Sequence, residues 1–390
     1  MSFEAELLER ARSLGLAQAD RVAAAGHGEE AARLALKHLA EAELLGFTVR
    51  ADRGGNATQG LCADDDVSVR ALVVLRDELA YHNGLLDLMF VMQGLGSYPL
   101  QRGGSEALCA EVLPRVIDGS HVCGYCLTEP GAGSSLDEIA TRATKDGAGY
   151  RLSGRKIFIS NAPIADGFTV LARTSGEPGD RVPGGLSMFY VPGDAEGLRA
   201  EGFEVMAPHP IGEVHFDGVF VPEAARLGAE GEGLDIALAT LARFRTSVAA
   251  AANGFARRAL DESRRHLSER HQFGRPLGAN QGLRWDLAEM DARLRGAQLL
   301  VREAAERSDT GHPDTAASVA RAKLTATENA SYVCDRAVQH FGGLGVKRGV
   351  LVEQLYREVR SLRIYEGASE VQKLILGKLA LGREAAEGPL

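Results

Sequence analysis

The sequence contains few cysteines, and their number argues against a disulfide framework. Five cysteines in 390 residues are an odd number, in a chain long enough to bury a core without covalent links. Cys123 and Cys126 form one C-x-x-C pair, but no second pair and no spaced histidines supply the remaining ligands of a zinc site. We therefore predict neither a disulfide framework nor a bound metal.

The sequence also lacks long runs of basic residues and long runs of apolar residues. Basic and acidic residues alternate along the chain at a net charge of -9, so no basic surface is indicated and nucleic acid is not an expected partner. The most apolar early stretch, residues 85–95, is interrupted by Asp87 and Gln93 and is too short to cross a bilayer. The first six residues are acidic where a secretory signal is basic. These features predict a cytoplasmic protein without membrane insertion.

The glycine-rich stretch at 125–135 lacks both common nucleotide-binding fingerprints. It contains neither G-x-G-x-x-G nor the lysine of a phosphate-binding loop, which excludes a dinucleotide-binding Rossmann unit. Its glycines allow the backbone to approach a ligand closely, and Thr128 and Ser134 add hydroxyl groups. Such a loop can hold a planar cofactor, although a glycine-rich loop taken alone is more often a simple turn.

The chain does contain three successive regions with different secondary-structure patterns. Residues 1–119 have helical spacing, with Ala31, Leu34, Ala35 and Leu39 on one face and Gly46 at an expected C-cap. Residues 120–227 contain short β segments separated by glycine and proline, at 150–159, 168–173, 186–191 and 214–221. Residues 228–390 return to helical spacing, and one predicted seam comprises Leu283, Leu287, Met290, Leu294, Ala297 and Val301.

This order predicts an α+β fold, because strands and helices are segregated along the chain and do not alternate. We expect an N-terminal helical domain at 1–119, a middle antiparallel β domain at 120–227 and a C-terminal domain resembling a four-helix bundle at 228–390.

Several ordered strings resemble the motifs of the acyl-CoA dehydrogenase family. The loop Tyr125-Cys-Leu-Thr-Glu-Pro-Gly-Ala-Gly-Ser-Ser135 is similar to the flavin-binding signature of that family, and Lys156-Ile-Phe-Ile-Ser-Asn161 to its second flavin strand. Further matches are Val214 to Pro222, Glu269 to Leu277, Ala337 to Gly343 and Arg363 to Gln372. The resemblance extends over essentially the whole chain, and it implies the three-domain fold of that family and FAD as cofactor.

The resemblance also assigns residues to the flavin. It implies that Tyr125, Cys126, Leu127 and Thr128 lie against the isoalloxazine ring, with Ser134 nearby in the same loop and Phe158 and Ser160 on the other side. The family usually has Trp and Thr at the last two positions, and Phe and Ser preserve the aromatic surface and the hydroxyl. Residues implied to hold the pyrophosphate and adenosine half, typically across a subunit interface, are Arg270, Phe273, Gln281, Gln339, Gly342 and Gly343.

Glu366 is the residue implied to be the catalytic base. The local sequence agrees, because Ser369 and Gln372 form an S-x-x-Q capping pattern that predicts a turn at 365–368 before the last helix. A carboxylate on such a turn can project into a dry cleft, where its pKa is expected to rise into the range of a general base. Some family members carry the base at the stretch corresponding to 240–247, but no carboxylate occurs there.

The resemblance implies dehydrogenation of an acyl thioester between its alpha and beta carbons. Glu366 would take the alpha proton and the flavin the hydride, while the backbone amide of Glu366 helps to bind the thioester carbonyl. Ser134, Arg245 and Gly367 match substrate-binding positions. Electron-transfer flavoprotein is the implied electron acceptor, and the assembly is expected to be a homotetramer or homodimer.

Three departures from the family pattern leave the thioester carrier open. They are Ser135 and Ala242 at usually acidic positions, and Ala368 where Thr is usual. The substrate could therefore be an acyl-CoA or an acyl group on a carrier protein. Two other functions remain as alternatives, namely a flavin monooxygenase on the same scaffold and a flavoprotein that only binds partners. A base at Glu366 favours the dehydrogenase.

Overall fold

A computed structural model describes residues 2–62, 65–180 and 183–381. The helices are α1 Phe3–Ala24, α2 Glu29–Glu41, α3 Val69–His82, α4 Gly84–Gly103, α5 Glu106–Ile117, α6 Gly233–Glu269, α7 Gln281–Asp309, α8 Thr315–Phe341, α9 Leu351–Leu362 and α10 Ser369–Leu381. The strands are β1 Cys123–Cys126, β2 Arg142–Asp146, β3 Gly149–Ser160, β4 Gly167–Arg173, β5 Leu186–Pro192, β6 Leu198–Gly202, β7 Ile211–Pro222, β8 Arg226–Leu227, β9 His271–Gln272 and β10 Arg275–Pro276. The predicted α+β order of helices, strands and helices is confirmed.

The chain forms two compact units. The first, called the helical unit, consists of Met1–Gly15, Val69–Gly84 and Arg245–Leu390. The second, called the sheet unit, consists of Leu16–Ser68 and Leu85–Phe244.

The core of the helical unit lies between α6, α7, α8 and α9. Four members of the predicted α7 seam, Met290, Leu294, Ala297 and Val301, are buried in it. The facing part of α6 is rich in alanine, which lets helices approach closely. At Gly254 on α6, an added Cβ would lie 2.2 Å from the Asp77 carbonyl oxygen of α3. Small residues on α6 are therefore required by the packing.

The sheet unit is built on eight strands in the order β6-β7-β3-β2-β4-β5-β8, with β1 paired to β4. The four strands predicted from sequence correspond to β3, β4, β5 and β7. The sheet is mostly antiparallel, as predicted, but β1 runs parallel to β4, and one parallel bridge joins β2 to β4. A parallel neighbour is possible because some forty residues, including β2 and β3, connect β1 to β4.

The prediction of Gly46 as a C-cap was wrong. Helix α2 ends at Glu41, and Ala42 occupies the C-cap. Gly46 lies instead in the 3₁₀ turn Leu45–Thr48. There an added Cβ would lie 2.4 Å from the side-chain oxygen of Asn56. Glycine at this position permits a close approach and does not terminate the helix.

Within the described ranges, no helix combines the length and the hydropathy needed to span a membrane. The same residues contain no group of three or more His, Cys, Asp or Glu side chains arranged to hold a metal ion. Cys123 and Cys126 are both buried free thiols on β1.

Candidate functional site: a glycine-rich loop, a strained turn and a helix end

The glycine-rich loop begins at the end of β1 and is attached to β3. The Ile157 amide donates to the Thr128 carbonyl at 2.9 Å. One residue earlier on β3, the Lys156 ammonium donates to the Leu127 carbonyl, also at 2.9 Å. These two bonds hold the first residues of the loop beside the strand that carries Phe158 and Ser160.

A buried ion pair fixes the next residue of the loop. Glu129 lies 2.8 Å from Lys156 Nζ, and its two oxygens accept the amides of Ala140 and Thr141 at 2.7 and 3.0 Å. Burial alone would raise the pKa of Glu129, but Lys156 and these amides lower it overall. For Lys156, burial lowers the pKa more than Glu129 raises it. The contacts agree with the sequence-based interpretation of Glu129 as a structural residue.

Phe158 is held in a strained and exposed conformation. Its φ is +58°, in the left-handed region that a bulky side chain rarely adopts. The register between β3 and β7 is irregular between Lys156 and Ile159, where this residue bulges. The residue is 60% exposed, and its ring makes an edge contact with Phe203 at 5.4 Å between ring centroids. A strained, exposed aromatic residue indicates a surface intended for a ligand.

Ser160 is paired with a histidine that sequence analysis missed. Its hydroxyl lies 3.2 Å from His209 Nε2, and His209 Nδ1 lies 2.8 Å from the Ala207 carbonyl. Burial lowers the pKa of His209, and the bond to Ala207 opposes this. A neutral ring that donates from Nδ1 must accept at Nε2. We therefore assign the Ser160 hydroxyl as the donor in its hydrogen bond with His209 Nε2. The Ser160 oxygen then keeps acceptor capacity for a ligand.

The loop leaves free space on its glycine side. An added Cβ at Gly131 or Gly133 would meet no atom within 4 Å, and Ser134 beside them is exposed. By contrast, the side chains of Cys126 and Leu127 are buried in the hydrophobic cores of the sheet unit. These two residues can therefore reach a ligand only through their backbone.

In the helical unit, Glu366 lies on a strained turn between α9 and α10. Its φ is +51°, and that of Gly367 is +93°, so two successive residues are left-handed. The Glu366 carbonyl accepts from Arg245 Nε of α6 at 2.8 Å. The Gly367 carbonyl accepts from Lys323 Nζ of α8 at 2.7 Å and from Gln372 Nε2 at 2.9 Å. Three side chains from three helices thus hold the turn.

Both ends of the same turn are fixed by Glu328 on α8. Arg363 pairs with its two oxygens at 2.9 and 2.8 Å, and the Ser369 hydroxyl donates to it at 2.6 Å. The Ser369 amide also donates to the Arg363 carbonyl at 3.0 Å, which closes the turn.

The predicted capping box at Ser369 was wrong. The Gln372 amide donates to the Ala368 carbonyl at 3.1 Å and not to the Ser369 hydroxyl. The Ser369 hydroxyl is instead oriented toward α8, where it donates to the Glu328 carboxylate at 2.6 Å. The prediction that the chain turns at 365–368 before a final helix nevertheless holds.

Two cations near Glu366 are affected by burial. Burial lowers the pKa of Lys323 to about 8, an effect that the Glu366 carboxylate opposes and that Arg245 adds to. Burial also lowers the pKa of Arg245, again opposed by Glu366. The Glu366 Oε2 atom is itself buried. The carboxylate therefore lies in a poorly hydrated and positively charged surrounding.

A third set of predicted residues occupies one end of the helical unit. Stacking of His266 on Phe341, with ring centroids 4.1 Å apart, joins the ends of α6 and α8. The contact of His340 with Asp286 at 3.3 Å joins the end of α8 to the start of α7. These contacts bring the flanking segments together, and all of the predicted residues on them are exposed, namely Arg270, Phe273, Gln281, Gln339, Gly342 and Gly343.

Phe273 is the most exposed of these, at 97%, and its φ of +53° is again left-handed. An added Cβ at Gly342 or Gly343 would meet no atom within 4 Å, so the backbone there is open to a ligand. Gln339 lies sixteen positions after Lys323 on α8, which is about 24 Å along a helix. The structure therefore keeps this set apart from the Glu366 turn.

Models of three acyl-CoA dehydrogenase domains match successive parts of the sequence. The N-terminal domain model matches residues 3–120, the middle domain model 124–219 and the C-terminal domain model 231–381. The chain belongs to the acyl-CoA dehydrogenase family. As a member of this family, the protein is an FAD-dependent oxidoreductase that acts on the CH–CH bond of an acyl-CoA.

Individual acyl-CoA dehydrogenase relatives cover most of the chain. Cyclohexane-1-carbonyl-CoA dehydrogenase of Geobacter metallireducens is 36% identical over 313 residues, 80% of this chain and 81% of that protein. A subunit of the caffeyl-CoA reductase-Etf complex of Acetobacterium woodii is 33% identical over 317 residues, 79% of this chain and 82% of that protein. The structure of butyryl-CoA dehydrogenase from Megasphaera elsdenii aligns with a TM-score of 0.86 at 29% identity, covering 98% and 100% of the two chains.

The residues present fit the FAD of an acyl-CoA dehydrogenase. The sheet unit offers a glycine-lined loop with open space, the Thr128 hydroxyl and the exposed ring of Phe158. The helical unit separately offers an exposed arginine, an exposed aromatic ring and two open glycines. A planar ring system and an anionic pyrophosphate require these kinds of groups.

Sequence analysis identified the loop, the turn and the helix end, but it missed the side chains that hold them. In the sheet unit the missed residues are Lys156 and His209, and in the helical unit they are Lys323, Glu328, His266 and His340. A lysine on an otherwise apolar helical face, as at Lys323 between Ala322 and Ala326, was the one signal that the sequence offered.

Proposed function

We propose that Glu366 is the general base of this acyl-CoA dehydrogenase and removes the alpha proton of the substrate thioester. The observation that carries this proposal is the turn itself. Its carboxylate has a buried oxygen, and the carbonyls of Glu366 and Gly367 accept from two cationic side chains. A fixed carboxylate in a poorly hydrated surrounding is suited to proton abstraction.

The same turn also provides a role for the backbone. Removing an alpha proton places negative charge on the thioester carbonyl oxygen, which a nearby N–H donor stabilises. We propose the Glu366 amide as this donor, since the side chains that hold the turn also fix the orientation of its peptide groups. Bound FAD supplies the acceptor for the hydride that leaves the beta carbon.

The residues proposed to hold FAD fall into two sets. In the sheet unit they are the backbone of Tyr125, Cys126 and Leu127, the hydroxyls of Thr128 and Ser134, and the side chains of Phe158 and Ser160. In the helical unit they are Arg270, Phe273, Gln281, Gln339, Gly342 and Gly343. The exposure of the second set in one chain supports a homotetramer or homodimer in which these residues meet a neighbouring subunit.

The residues that contact the thioester, and a carrier protein as an additional source of the acyl group, are proposals. Arg245, proposed to contact the carrier, already uses Nε to hold the Glu366 carbonyl. Ala242 supplies no carboxylate beside it. We propose that Arg245, Ser134 and Gly367 contact the acyl-CoA substrate. Because of the lost acidic residue, we also propose an acyl group on a carrier protein as a second candidate substrate.

An electron-transfer flavoprotein is the proposed electron acceptor. The relative from Acetobacterium woodii carries such a partner in its name, and an enzyme of this kind needs a route for two electrons after each turnover. Cytoplasmic location remains a prediction from the sequence.

The proposal is tested by mixing the FAD-loaded protein anaerobically with a panel of straight-chain, branched and cyclic acyl-CoA thioesters. We expect at least one to bleach the flavin absorbance and to yield its 2-enoyl product. If none does and the same acyl groups on a carrier protein do, the carrier-protein substrate is supported. Substrate hydroxylation in air, with NAD(P)H as reductant and no anaerobic bleaching, would instead support the flavin monooxygenase.

A further inference from the structure

Lys323 contacts the turn that carries the proposed base. It lies on α8, its side chain is fully buried, and Nζ donates to the Gly367 carbonyl at 2.7 Å. The Gln372 side chain shares this acceptor at 2.9 Å. The adjacent carbonyl, that of Glu366, accepts from Arg245. Two successive peptide groups therefore each accept from a cation.

Burying a lysine at this position costs free energy, so stability alone does not explain the residue. A buried ammonium loses its hydration, and an apolar side chain of similar volume usually fits such a site at lower cost. The hydrogen-bond acceptor that the structure gives Lys323 is a neutral carbonyl, whereas the other fully buried lysine, Lys156, pairs with Glu129 at 2.8 Å. The contact with Gly367 thus points to a function in holding the turn.

We infer that Lys323 is a positioning residue for the proposed base: it fixes the Gly367 peptide and thereby orients Glu366, and its charge favours the ionised carboxylate. This inference rests on the proposed function of Glu366. The mechanical part follows from the strained backbone of Glu366, because a left-handed residue other than glycine persists only where its surroundings over-determine it. Without Lys323, the Gly367 carbonyl would keep the Gln372 side chain as its hydrogen-bond donor and lose the cationic one.

The electrostatic part follows from the charges around Lys323. Glu366 and Glu370 approach from the turn and α10, Glu328 from α8 itself, and Arg245 from α6. Glu328 is already engaged by Arg363 at 2.8 Å. Removing the ammonium leaves Glu366 with less positive charge nearby, so its protonated form should persist to higher pH.

The test compares Lys323→Met, which removes the charge and the donor, with Thr327→Val on the same helix. Thr327 is fully buried one turn away, and its hydroxyl donates to the Lys323 carbonyl at 2.9 Å within α8. Both variants should load FAD. With the acyl-CoA that bleaches the wild-type flavin fastest, Lys323→Met should reduce roughly 10- to 100-fold more slowly at saturation, as expected for a misplaced catalytic group. Its apparent substrate affinity should change much less.

Two further readouts separate positioning from general damage. The acidic limb of the pH–rate profile should move to higher pH in Lys323→Met and stay in place in Thr327→Val. Hydrogen exchange of a peptide spanning 363–372 in the flavin-free protein should increase in Lys323→Met alone. Should Lys323→Met fail to fold, Lys323→Gln, which loses the charge but keeps an N–H donor, takes its place and should still shift the acidic limb.

The possible failures can be distinguished. If Lys323→Met matches Thr327→Val in reduction rate, acidic limb and exchange while Glu366→Gln is inactive, the positioning role is wrong and the base stands. If Glu366→Gln reduces as fast as the wild type, the proposed base is wrong and the role of Lys323 falls with it.

Discussion

Two fully buried lysines, Lys156 in the sheet unit and Lys323 in the helical unit, perform similar tasks in different ways. Lys156 donates to the Leu127 carbonyl of the glycine-rich loop at 2.9 Å, and Lys323 to the Gly367 carbonyl of the base turn at 2.7 Å. Each ammonium therefore holds a backbone segment proposed to contact cofactor or substrate, and burial lowers the pKa of both.

The difference is in how each charge is compensated. Glu129 lies 2.8 Å from Lys156 and is itself held by two backbone amides. Lys323 is surrounded by opposing charges of both signs, and its pKa falls to about 8. The loop is thus held by a complete ion pair, while the turn is held by a cation whose hydrogen-bond acceptor is a neutral carbonyl. The first arrangement provides a rigid scaffold, and the second leaves the base sensitive to its electrostatic surroundings.

Breaking the ion pair of the sheet unit should have the largest effect on stability. Glu129→Ala leaves Lys156 buried without its carboxylate, which typically costs about 3–5 kcal/mol in the free energy of unfolding. Urea denaturation of the flavin-free protein measures this loss. Asp146→Ala, which removes the exposed pair with Arg151, is the control and should cost less than about 1 kcal/mol. Equal losses for the two variants would show that the pair does not anchor the loop.

The pH dependence of stability should sharpen the contrast at Lys323. Its pKa in the folded protein is about 8, below its ordinary value of 10.5, so between these values the unfolded chain binds more protons than the folded one. Stability should therefore rise with pH in this window, by up to about 1.4 kcal/mol per pH unit from this group. The difference in unfolding free energy between the wild type and Lys323→Met, measured from pH 7 to 10.5, isolates the effect. A difference independent of pH would contradict it.

The smallest effect on the free energy of unfolding is expected from relieving the backbone strain of Phe158, two residues after Lys156 on β3. Phe158→Gly removes a left-handed strain of about 1–2 kcal/mol but also loses the Phe203 contact, so stability should stay within about 1 kcal/mol of the wild type. FAD affinity should fall roughly three- to tenfold with loss of the ring. Titration of the flavin-free protein with FAD measures this. Phe220→Gly on β7, another exposed aromatic without a left-handed backbone, should leave FAD affinity unchanged; a similar loss there would refute the assignment.

The sequence predicted the parts of the molecule that depend on local pattern. Alternating β segments identified β3, β4, β5 and β7, and the spacing of Met290, Leu294, Ala297 and Val301 identified the buried face of α7. The motif resemblance located the loop and the turn, because their glycines and Glu366 lie in short continuous strings.

The sequence could not predict contacts that join distant segments. Lys323 and Gly367 are 44 positions apart, and Ser369 and Glu328 are 41 apart, so only tertiary packing brings them together. The capping box failed for a related reason, since the Ser369 hydroxyl is oriented toward the distant Glu328 and the Gln372 amide donates to the Ala368 carbonyl. Cys126 shows a second limit, because the motif named the residue but not that its side chain points into the core.

The central claim is that the carboxylate of Glu366 takes the alpha proton, and anaerobic stopped-flow reduction of the Glu366→Gln protein tests it most directly. The variant keeps the shape of the side chain, so FAD content should match the wild type. With a thioester that bleaches the wild-type flavin, the variant should reduce roughly 10²- to 10⁴-fold more slowly. Reduction of the fully loaded variant at the wild-type rate would contradict the account.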